Sequence, residues 1–283
     1  MNKNTNQCPH CNSSHYIKHG KYNGIQRFLC RECNKTFSQR TYAPWYYSKK
    51  SDNLWKKFWI LQMNKVSLYK CAETLDINIA TAFSWRHKIL NAINHIIGQK
   101  ELCDNVYMTK KIYSFNYKGS KLPSPTHDKN LWVILSADSN ENTLITPLCT
   151  NKWDPHAFKN LLETNISMNS LIFTSGDRYL SIATKTDNPV RDHCYLSEIN
   201  EYLNSNIEYS LKPKILVKSI LDEFRSIKNR AFGVATKYLK QYFALARALQ
   251  DINLFSFNSV ICRWYTKDHY LKSNDISSLT VLN

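Results

Sequence analysis

Four cysteines near the start of the chain have the residue type and spacing of a metal site. Cys8 and Cys11 form one Cys-x-x-Cys pair, Cys30 and Cys33 form a second, and 18 residues lie between the two pairs. Two such pairs complete a tetrahedral thiolate shell, and a shell with no open position is typical of structural zinc. A segment this short cannot bury enough apolar surface by itself, so we expect metal binding and folding to be one event over residues 8–37.

Two helices that follow residue 53 form a second candidate site. The apolar periodicity predicts a helical region over 53–98, in which one helix begins at Ser67 and ends at Leu75, and the next begins at Ile79 after a short break. Five residues are predicted on or near the outward face of this second helix: Thr81, Ser84, Arg86, His87 and Lys88. Such a helix fits the major groove of DNA, where hydroxyl and cationic side chains contact phosphates and base edges. An ordinary helical hairpin would show the same periodicity.

The overall charge favours the DNA-binding interpretation. Lys and Arg number 38 against 22 Asp and Glu, which gives a net charge of +16. Such an excess favours a polyanionic partner, with nucleic acid as the first candidate. No apolar run approaches the ~20 residues that a membrane-spanning helix needs, and the polar start indicates no signal peptide. We therefore expect a cytoplasmic protein that joins the nucleoid when bound to double-stranded DNA, with no membrane partner.

The elements that would position a catalytic site begin after residue 98. Short runs rich in β-branched and aromatic residues at 111–117, 130–137 and 143–148 predict an antiparallel meander. The periodicity then predicts, in order, a helix at 154–165, a strand at 171–175, a helix at 178–186, a strand at 193–196, and helices at 214–230 and 236–249. This order is that of an RNase H-like fold.

The predicted fold class is therefore a multidomain α+β or α/β protein. It combines a zinc-binding module, a helix-turn-helix and an RNase H-like mixed sheet flanked by helices. The expected boundaries are 1–40 for the zinc module, 41–52 for a linker, 53–98 for the helix-turn-helix, 99–250 for the RNase H-like domain and 251–283 for a C-terminal tail.

Four stretches carry a resemblance to a known family. CPHCNSSHYIKHGKYNGIQRFLCRECNKTF, ELCDNVYMTKKIYSFNYKGSK, SLIFTSGDRYLSIATK and AFGVATKYLKQYFALAR resemble segments of the insertion-sequence DDE transposases with an N-terminal zinc ribbon. The resemblance implies a protein that binds the terminal repeats of an insertion sequence. It also implies a homodimer, because two transposon ends must be paired.

The same resemblance implies three acidic residues that hold two divalent ions, and this chain departs from that pattern. Thr109 and Lys110 stand where the family has Asp-Glu, Ser175 stands at the second acidic position, and Leu221 stands at the third. Hydroxyls and a leucine do not supply the charge that Mg²⁺ prefers, and Lys110 adds a repelling positive charge. The chain is therefore interpreted as a catalytically degenerate DNA-binding protein with no assigned catalytic residue. Mg²⁺ is expected only if the site is intact, so enzyme activity stays an open question.

Two alternatives remain. Asp104, Asp177 and Glu223 lie near the expected acidic positions and would serve as shifted ligands in an active transposase that cleaves DNA and transfers strands. The strand and helix periods place Asp104 and Glu223 on different faces from Thr109 and Leu221. The second alternative is a zinc-stabilised module that binds RNA or another protein.

Overall fold

The computed structural model describes residues 7–98, 100–117, 129–174, 177–180, 193–195, 207–230, 234–251 and 255–279. These residues form two compact units. The first lies within Met1–Ile97 and Arg247–Leu279, and the second lies within Gly98–Ala246. The first unit is therefore discontinuous in sequence.

The first unit begins with a small antiparallel sheet. Strands β1 (Tyr16–Tyr22), β2 (Ile25–Cys30) and β3 (Thr36–Phe37) lie in the order β1-β2-β3. Asn23 and Gly24 connect β1 to β2 with φ angles of 47° and 78°. Two left-handed residues in an Asn-Gly pair match the right-handed twist of the flanking strands, so this dipeptide fixes the hairpin.

Three helices follow the small sheet: α1 (Asp52–Met63), α2 (Leu68–Leu75) and α3 (Ile79–Ile97). The hydroxyl of Ser67 accepts a hydrogen bond from the backbone of the first turn of α2, which defines its start. Asp76 adopts a left-handed conformation with φ of 48° and ends the helix. The predicted break between the two helices therefore has a local cause in the sequence.

An aromatic core joins these helices to segments from both ends of the chain. Trp55 of α1 and Trp85 of α3 stack with ring centroids 3.8 Å apart. Residues 41–52, predicted as a linker, contribute Trp45, which is 1% exposed and packs against Tyr265 at 5.9 Å. The indole of Trp59 donates to the backbone oxygen of Phe255 at 2.9 Å. The apolar side chains of both segments are thus drawn into one core.

The predicted C-terminal tail also belongs to this unit in its described part. It forms a short helix, α7 (Phe257–Ile261), and 3₁₀ turns at Lys267–His269 and Ser273–Ile276. Trp264 lies 5.7 Å from Phe28 and 5.6 Å from Phe37, both on the small sheet. The described part of the tail therefore packs against the small sheet rather than extending into solvent.

The second unit is a five-stranded mixed sheet. Its strands are β4 (Asn105–Ser114), β5 (Asn130–Asp138), β6 (Thr143–Thr150), β7 (Leu171–Thr174) and β8 (His193–Tyr195), in the order β6-β5-β4-β7-β8. Antiparallel pairing joins the first three, so the predicted meander is present. Parallel pairing adds β7 to β4 and β8 to β7. The first strand begins before the predicted run.

Helices cover the two faces of this sheet. Helix α4 (Pro155–Asn165) packs on the face that carries Val106 and Met108. Helix α5 (Ile207–Arg230) and helix α6 (Leu239–Ala248) cover the face of Tyr113, whose ring lies 5.7 Å from Phe224 and 5.9 Å from Phe243. Because successive strand residues point to opposite faces, Thr109 shares the α5 face and Lys110 shares the α4 face.

None of the helices in the described part of the chain combines the length and the apolar character that crossing a bilayer needs.

Candidate functional site

The four N-terminal cysteines converge on one point. Their Sγ atoms all lie within 4.8 Å of one another. The Sγ atoms of Cys8 and Cys33 are 3.7 Å apart, and those of Cys11 and Cys30 are 3.5 Å apart. A metal–sulfur bond of about 2.3 Å in a tetrahedron requires sulfur atoms about 3.8 Å apart. The cluster therefore fits a single metal ion, and it is the only such group of His, Cys, Asp or Glu among the described residues.

A repeated local turn brings the cysteines together. Asn12 follows the second cysteine of one pair and Asn34 follows the second cysteine of the other, with φ angles of 62° and 55°. Asn is one of the few residues other than glycine that tolerates this left-handed conformation. The repeated sequence Cys-x-x-Cys-Asn therefore encodes two similar turns that point their thiols at the same place.

The surroundings of the thiols set their proton affinities. Hydrogen bonds from the backbone of Cys33 and Glu32 lower the pKa of the Cys30 thiol to about 6, whereas burial raises the pKa of the Cys8 thiol to about 12. Because the thiolate is the metal ligand, the lowered pKa of Cys30 favours its ligand form, and a metal ion held here would release a proton from Cys8.

Helix α3 carries the five residues predicted to contact DNA. In the structure, three of them are partly exposed and two are buried. Thr81, Ser84 and Lys88 are partly exposed. The hydroxyl of Ser84 donates to the hydroxyl of Ser273 at 3.0 Å. Burial lowers the pKa of Lys88, whose ammonium lies 6.0 Å from the centroid of the Tyr270 ring.

The outward placement of Arg86 and His87 is corrected by the structure, because they are only 7% and 1% exposed. The Arg86 guanidinium donates to the Gln62 side chain at 2.5 Å and to the backbone oxygen of Val66 at 2.7 Å. His87 packs its ring 4.4 Å from that of Phe83. Arg86 therefore joins α3 to the end of α1 and to the loop before α2, and it is unavailable to a partner.

The exposed start of α3 was missed by the sequence analysis. Asn78, Ile79, Ala80 and Phe83 are exposed there, and Ile79 is exposed to 51%. The side chain of Asn78 accepts a hydrogen bond from the backbone of Ala80 at 2.8 Å, which caps the helix. The sequence analysis placed only polar and charged residues on the outward face of this helix, so the exposed apolar side chains of Ile79, Ala80 and Phe83 were not predicted there.

At the carboxyl end of β7, an ion pair lies beside the positions that the resemblance assigns to metal-binding acids. The Lys110 ammonium is 3.0 Å from the Asp177 carboxylate, and the two side chains are 12% and 23% exposed. Asp177 also accepts backbone hydrogen bonds from Tyr179 at 3.0 Å and from Leu180 at 3.4 Å, so it caps the helical turn at 178–180. The carboxylate is thus already engaged by one cation and two backbone donors.

Aromatic rings enclose the same ammonium. The Lys110 Nζ atom lies 4.7 Å from the centroid of the Trp132 ring and 4.6 Å from that of Tyr179. The Trp153 ring packs against both, at 5.6 Å and 5.7 Å. Rings attract a cation through their negative faces, so the Lys110 charge is stabilised in place. We call Lys110, Asp177, Trp132, Trp153 and Tyr179 the lysine cage.

Two of the three positions that the resemblance assigned to catalytic acids lie among the described residues. Thr109 is buried on the α5 face of the sheet and Leu221 is half-buried on α5. Ser175 lies outside the described residues.

Asp104, Asp177 and Glu223, the acids that would serve as shifted metal ligands in an active transposase, do not lie together in the structure. The backbone oxygen of Asp104 accepts a hydrogen bond from Leu171 at 2.9 Å, so Asp104 lies beside the start of β7, while Asp177 follows its end. About 10 Å of strand separates those two ends, whereas ligands of one ion lie within a few ångströms of it. Glu223 lies on α5 and is half-buried. These three acids do not form a group that could hold a metal ion.

One buried acid was also missed by the sequence analysis. Asp138 is 1% exposed at the end of β5. It accepts hydrogen bonds from the backbone of Asn140 at 2.9 Å, the backbone of Asn142 at 2.8 Å and the backbone of Cys103 at 3.2 Å. These bonds hold the turn between β5 and β6, so this carboxylate has a structural role.

Comparison with known proteins gives weak and partial similarities. No family model matches the chain. An uncharacterized protein in the transposable element ISH50 of Halobacterium salinarum is 24% identical over 130 residues, which are 44% of this chain and 42% of that protein. The chain therefore spans less than half the length of this relative. The crystal structure of a pre-cleavage Mos1 transpososome aligns with 77% of this chain and 79% of its own, with 8% identity and a TM-score of 0.24. This score is too low to establish a shared fold.

Proposed function

We propose that this chain is a DNA-binding, transposase-like protein of an insertion sequence, with a nuclease-type site that does not hold catalytic metal. The observation that carries the proposal is that a metal-binding cluster and a helix pair of the helix-turn-helix type occur together in one compact unit. The four-cysteine cluster and helices α2 and α3 lie in the first unit, on a chain with a net charge of +16. The 24% identity to a protein in a transposable element supports the insertion-sequence origin.

The proposed DNA contacts are on α3. Helices α2 and α3 are joined by a short turn at 76–78, as in a helix-turn-helix, and the start of α3 is exposed. Thr81, Ser84 and Lys88 remain the proposed contacts to phosphates and base edges, and Ala80 and Phe83 add apolar groups of the kind that contact thymine methyls. Arg86 and His87 support the helix from inside.

The proposed zinc ribbon would be a second contact surface. Zinc is the ion that four thiolates in a tetrahedron prefer, so we assign it to the four cysteines. Lys18 and Lys21 of β1 and Arg31, which follows β2, are exposed and are suited to phosphate groups.

An RNase H-like origin of the second unit is supported by its strand order. Three antiparallel strands are followed by a helix and by two parallel strands on the β4 side. In such sheets, sites form beyond the carboxyl ends of the parallel strands. The lysine cage lies at this end, where its ammonium and its engaged carboxylate oppose the binding of a divalent cation. The unit is therefore proposed to position DNA rather than to cut it.

A binding titration tests this function. Fluorescent duplexes from the DNA that flanks the gene would be titrated with protein at several salt concentrations. We expect affinity to fall linearly with salt on logarithmic axes, by about 0.9 per phosphate contacted. Thr81→Ala should weaken binding without changing thermal stability, while Thr164→Ala on α4 serves as the control.

Cleavage is assayed on the same duplexes with Mg²⁺ and with Mn²⁺. We expect no divalent-dependent nicking or strand transfer. Nicking that Asp177→Asn abolishes would establish the alternative of an active transposase with shifted ligands. Binding that is insensitive to salt, or stronger for RNA than for duplex DNA, would instead support an RNA- or protein-interaction module. A stoichiometry of two chains per pair of DNA ends would support the proposed homodimer.

A further inference from the structure

Two adjacent tyrosines between the zinc module and α1 are arranged in an unusual way. The rings of Tyr46 and Tyr47 are stacked, with centroids 3.9 Å apart and planes 29° apart. Trp45, one residue earlier, is 1% exposed, whereas Tyr47 is 78% exposed. The chain therefore directs one aromatic side chain into the core and leaves another standing in solvent.

The backbone conformation explains the stack. Adjacent side chains on an extended segment point to opposite sides, so their rings do not normally meet. Tyr47 adopts a left-handed conformation with φ of 60°, which turns its ring back onto that of Tyr46. This conformation is strained for a bulky residue, and such strain persists only where the surroundings enforce it, most often at functional sites.

A group of aromatic rings fixes the inner member of the pair. Tyr46 meets the ring of Tyr270 edge-on at 5.3 Å and that of Tyr42 at 5.6 Å. The Tyr42 hydroxyl lies 3.1 Å from Nδ1 of His10, which is between two cysteines of the metal cluster. The inner ring is therefore anchored to the metal-binding module and to the C-terminal segment, while the outer ring is accessible.

Three lysines lie near the stack in sequence or in space, together with one acid, Asp275, which interacts with Tyr270. Lys49 and Lys50 follow Tyr47 closely and are exposed. The ammonium of Lys88, on α3, lies 6.0 Å from the Tyr270 ring centroid, and Tyr270 lies 6.4 Å from Tyr47. An accessible aromatic ring flanked by cations is the arrangement by which proteins hold unpaired nucleotides, because any base has a face that stacks and a phosphate that pairs with the cations.

We propose that Tyr47 is a stacking platform for an unpaired base of DNA, at the junction with the duplex that α3 binds. This proposal rests on the proposed DNA-binding function, since Lys88 links the platform to that helix. The preferred substrate would be a DNA end that carries unpaired nucleotides rather than a blunt duplex.

The test compares two duplexes of identical sequence, one blunt and one with a short single-stranded tail that contains 2-aminopurine. We expect the wild-type protein to bind the tailed duplex about tenfold to a hundredfold more tightly and to quench the 2-aminopurine fluorescence. Tyr47→Ala should lose both effects and keep its affinity for the blunt duplex. Tyr47→Phe should retain both, because the ring is preserved.

Tyr22→Ala is the matched control, since Tyr22 is 66% exposed but lies in the β1–β2 hairpin. Equal affinity for the two duplexes, or an equal loss with Tyr22→Ala, would overturn the platform and leave the proposed function standing. Failure of the wild-type protein to bind either duplex would overturn the proposed function and the platform with it. Tighter binding of an RNA tail than of the DNA tail would overturn the assignment to DNA.

Discussion

The Lys110 ammonium lies 3.0 Å from the Asp177 carboxylate inside a cage of aromatic rings at the carboxyl end of the parallel strands. A metal-dependent nuclease would concentrate negative charge at this end of the sheet to hold divalent cations. Here the protein supplies its own cation, and the nearby acid neutralises it.

Removing the acid should destabilise the second unit. Asp177→Asn leaves the Lys110 ammonium largely buried without its counter-charge and weakens the cap of the turn at 178–180. We expect the free energy of unfolding to fall by about 1–3 kcal/mol, measured by urea denaturation. The control is Asp222→Asn, which breaks an exposed ion pair with Arg225 and should cost about 0.5 kcal/mol or less.

A second substitution should recover part of this loss. Lys110→Met in the Asp177→Asn background removes the stranded charge and keeps an unbranched side chain among the rings. We expect the double variant to be more stable than Asp177→Asn alone. Equal stability of these two variants would show that the unpaired Lys110 charge carries no cost in the cage.

Chelation should unfold the zinc module. Because the small sheet has little core of its own, removal of the ion should abolish hydrogen-exchange protection over residues 16–37. One zinc per chain is expected by elemental analysis, and Cys11→Ser should lose it. Cys262→Ser is the matched control, since that cysteine is exposed and lies outside the cluster. An unchanged exchange pattern after chelation would contradict a structural metal.

Arg86→Met should affect folding rather than DNA recognition. Its guanidinium bonds to Gln62 and to the backbone of Val66 would be lost, at a cost of about 2–3 kcal/mol in thermal or urea unfolding. The affinity of the folded variant for duplex DNA should stay within about twofold of wild type. Unchanged stability together with lost affinity would instead restore Arg86 as a DNA contact.

The stability of the first unit should decrease between about pH 6.5 and pH 4. Burial, followed by the nearby charge of His95, lowers the pKa of His269 to about 4, against about 6.5 in an unfolded chain. The charge of Asp268 raises the pKa of His269, whereas the charge of Arg263 lowers it, as His95 does. The unfolded state therefore binds more protons in this window, so stability is lost as the pH falls.

The measurement is the stability of the first unit at pH 7 and at pH 5, determined by hydrogen exchange together with the melting temperature. We expect His269→Asn to lose less stability over this interval than wild type. Identical pH profiles for the two proteins would remove His269 as the cause.

Local sequence was sufficient to predict some features. The cysteine spacing predicted a convergent cluster, and Ser67 with Asp76 bounded α2 where its caps are found. These features depend on ligand spacing and capping, which act within a few residues.

The features that could not be predicted depend on partners distant in sequence. Arg86 is buried because Gln62 and the Val66 carbonyl satisfy it, and no periodicity reveals such partners. The lysine cage forms only when β4, which carries Lys110, pairs with β5, which carries Trp132. It also needs Asp177, 67 residues later in the chain, to lie beside Lys110. The packing of Trp264 on the small sheet joins residues from opposite ends of the chain.

The discontinuity of the first unit has a consequence for biosynthesis. A ribosome must translate residues 98–246 after it has finished residue 97 and before Tyr265 and Trp264 emerge. At roughly 5–20 residues per second, that interval lasts on the order of 10–30 s. Throughout it, Trp45 and Phe37 lack the rings that cover them in the finished protein. Newly made chains therefore expose an aromatic surface to chaperones and proteases until translation reaches the returning segment.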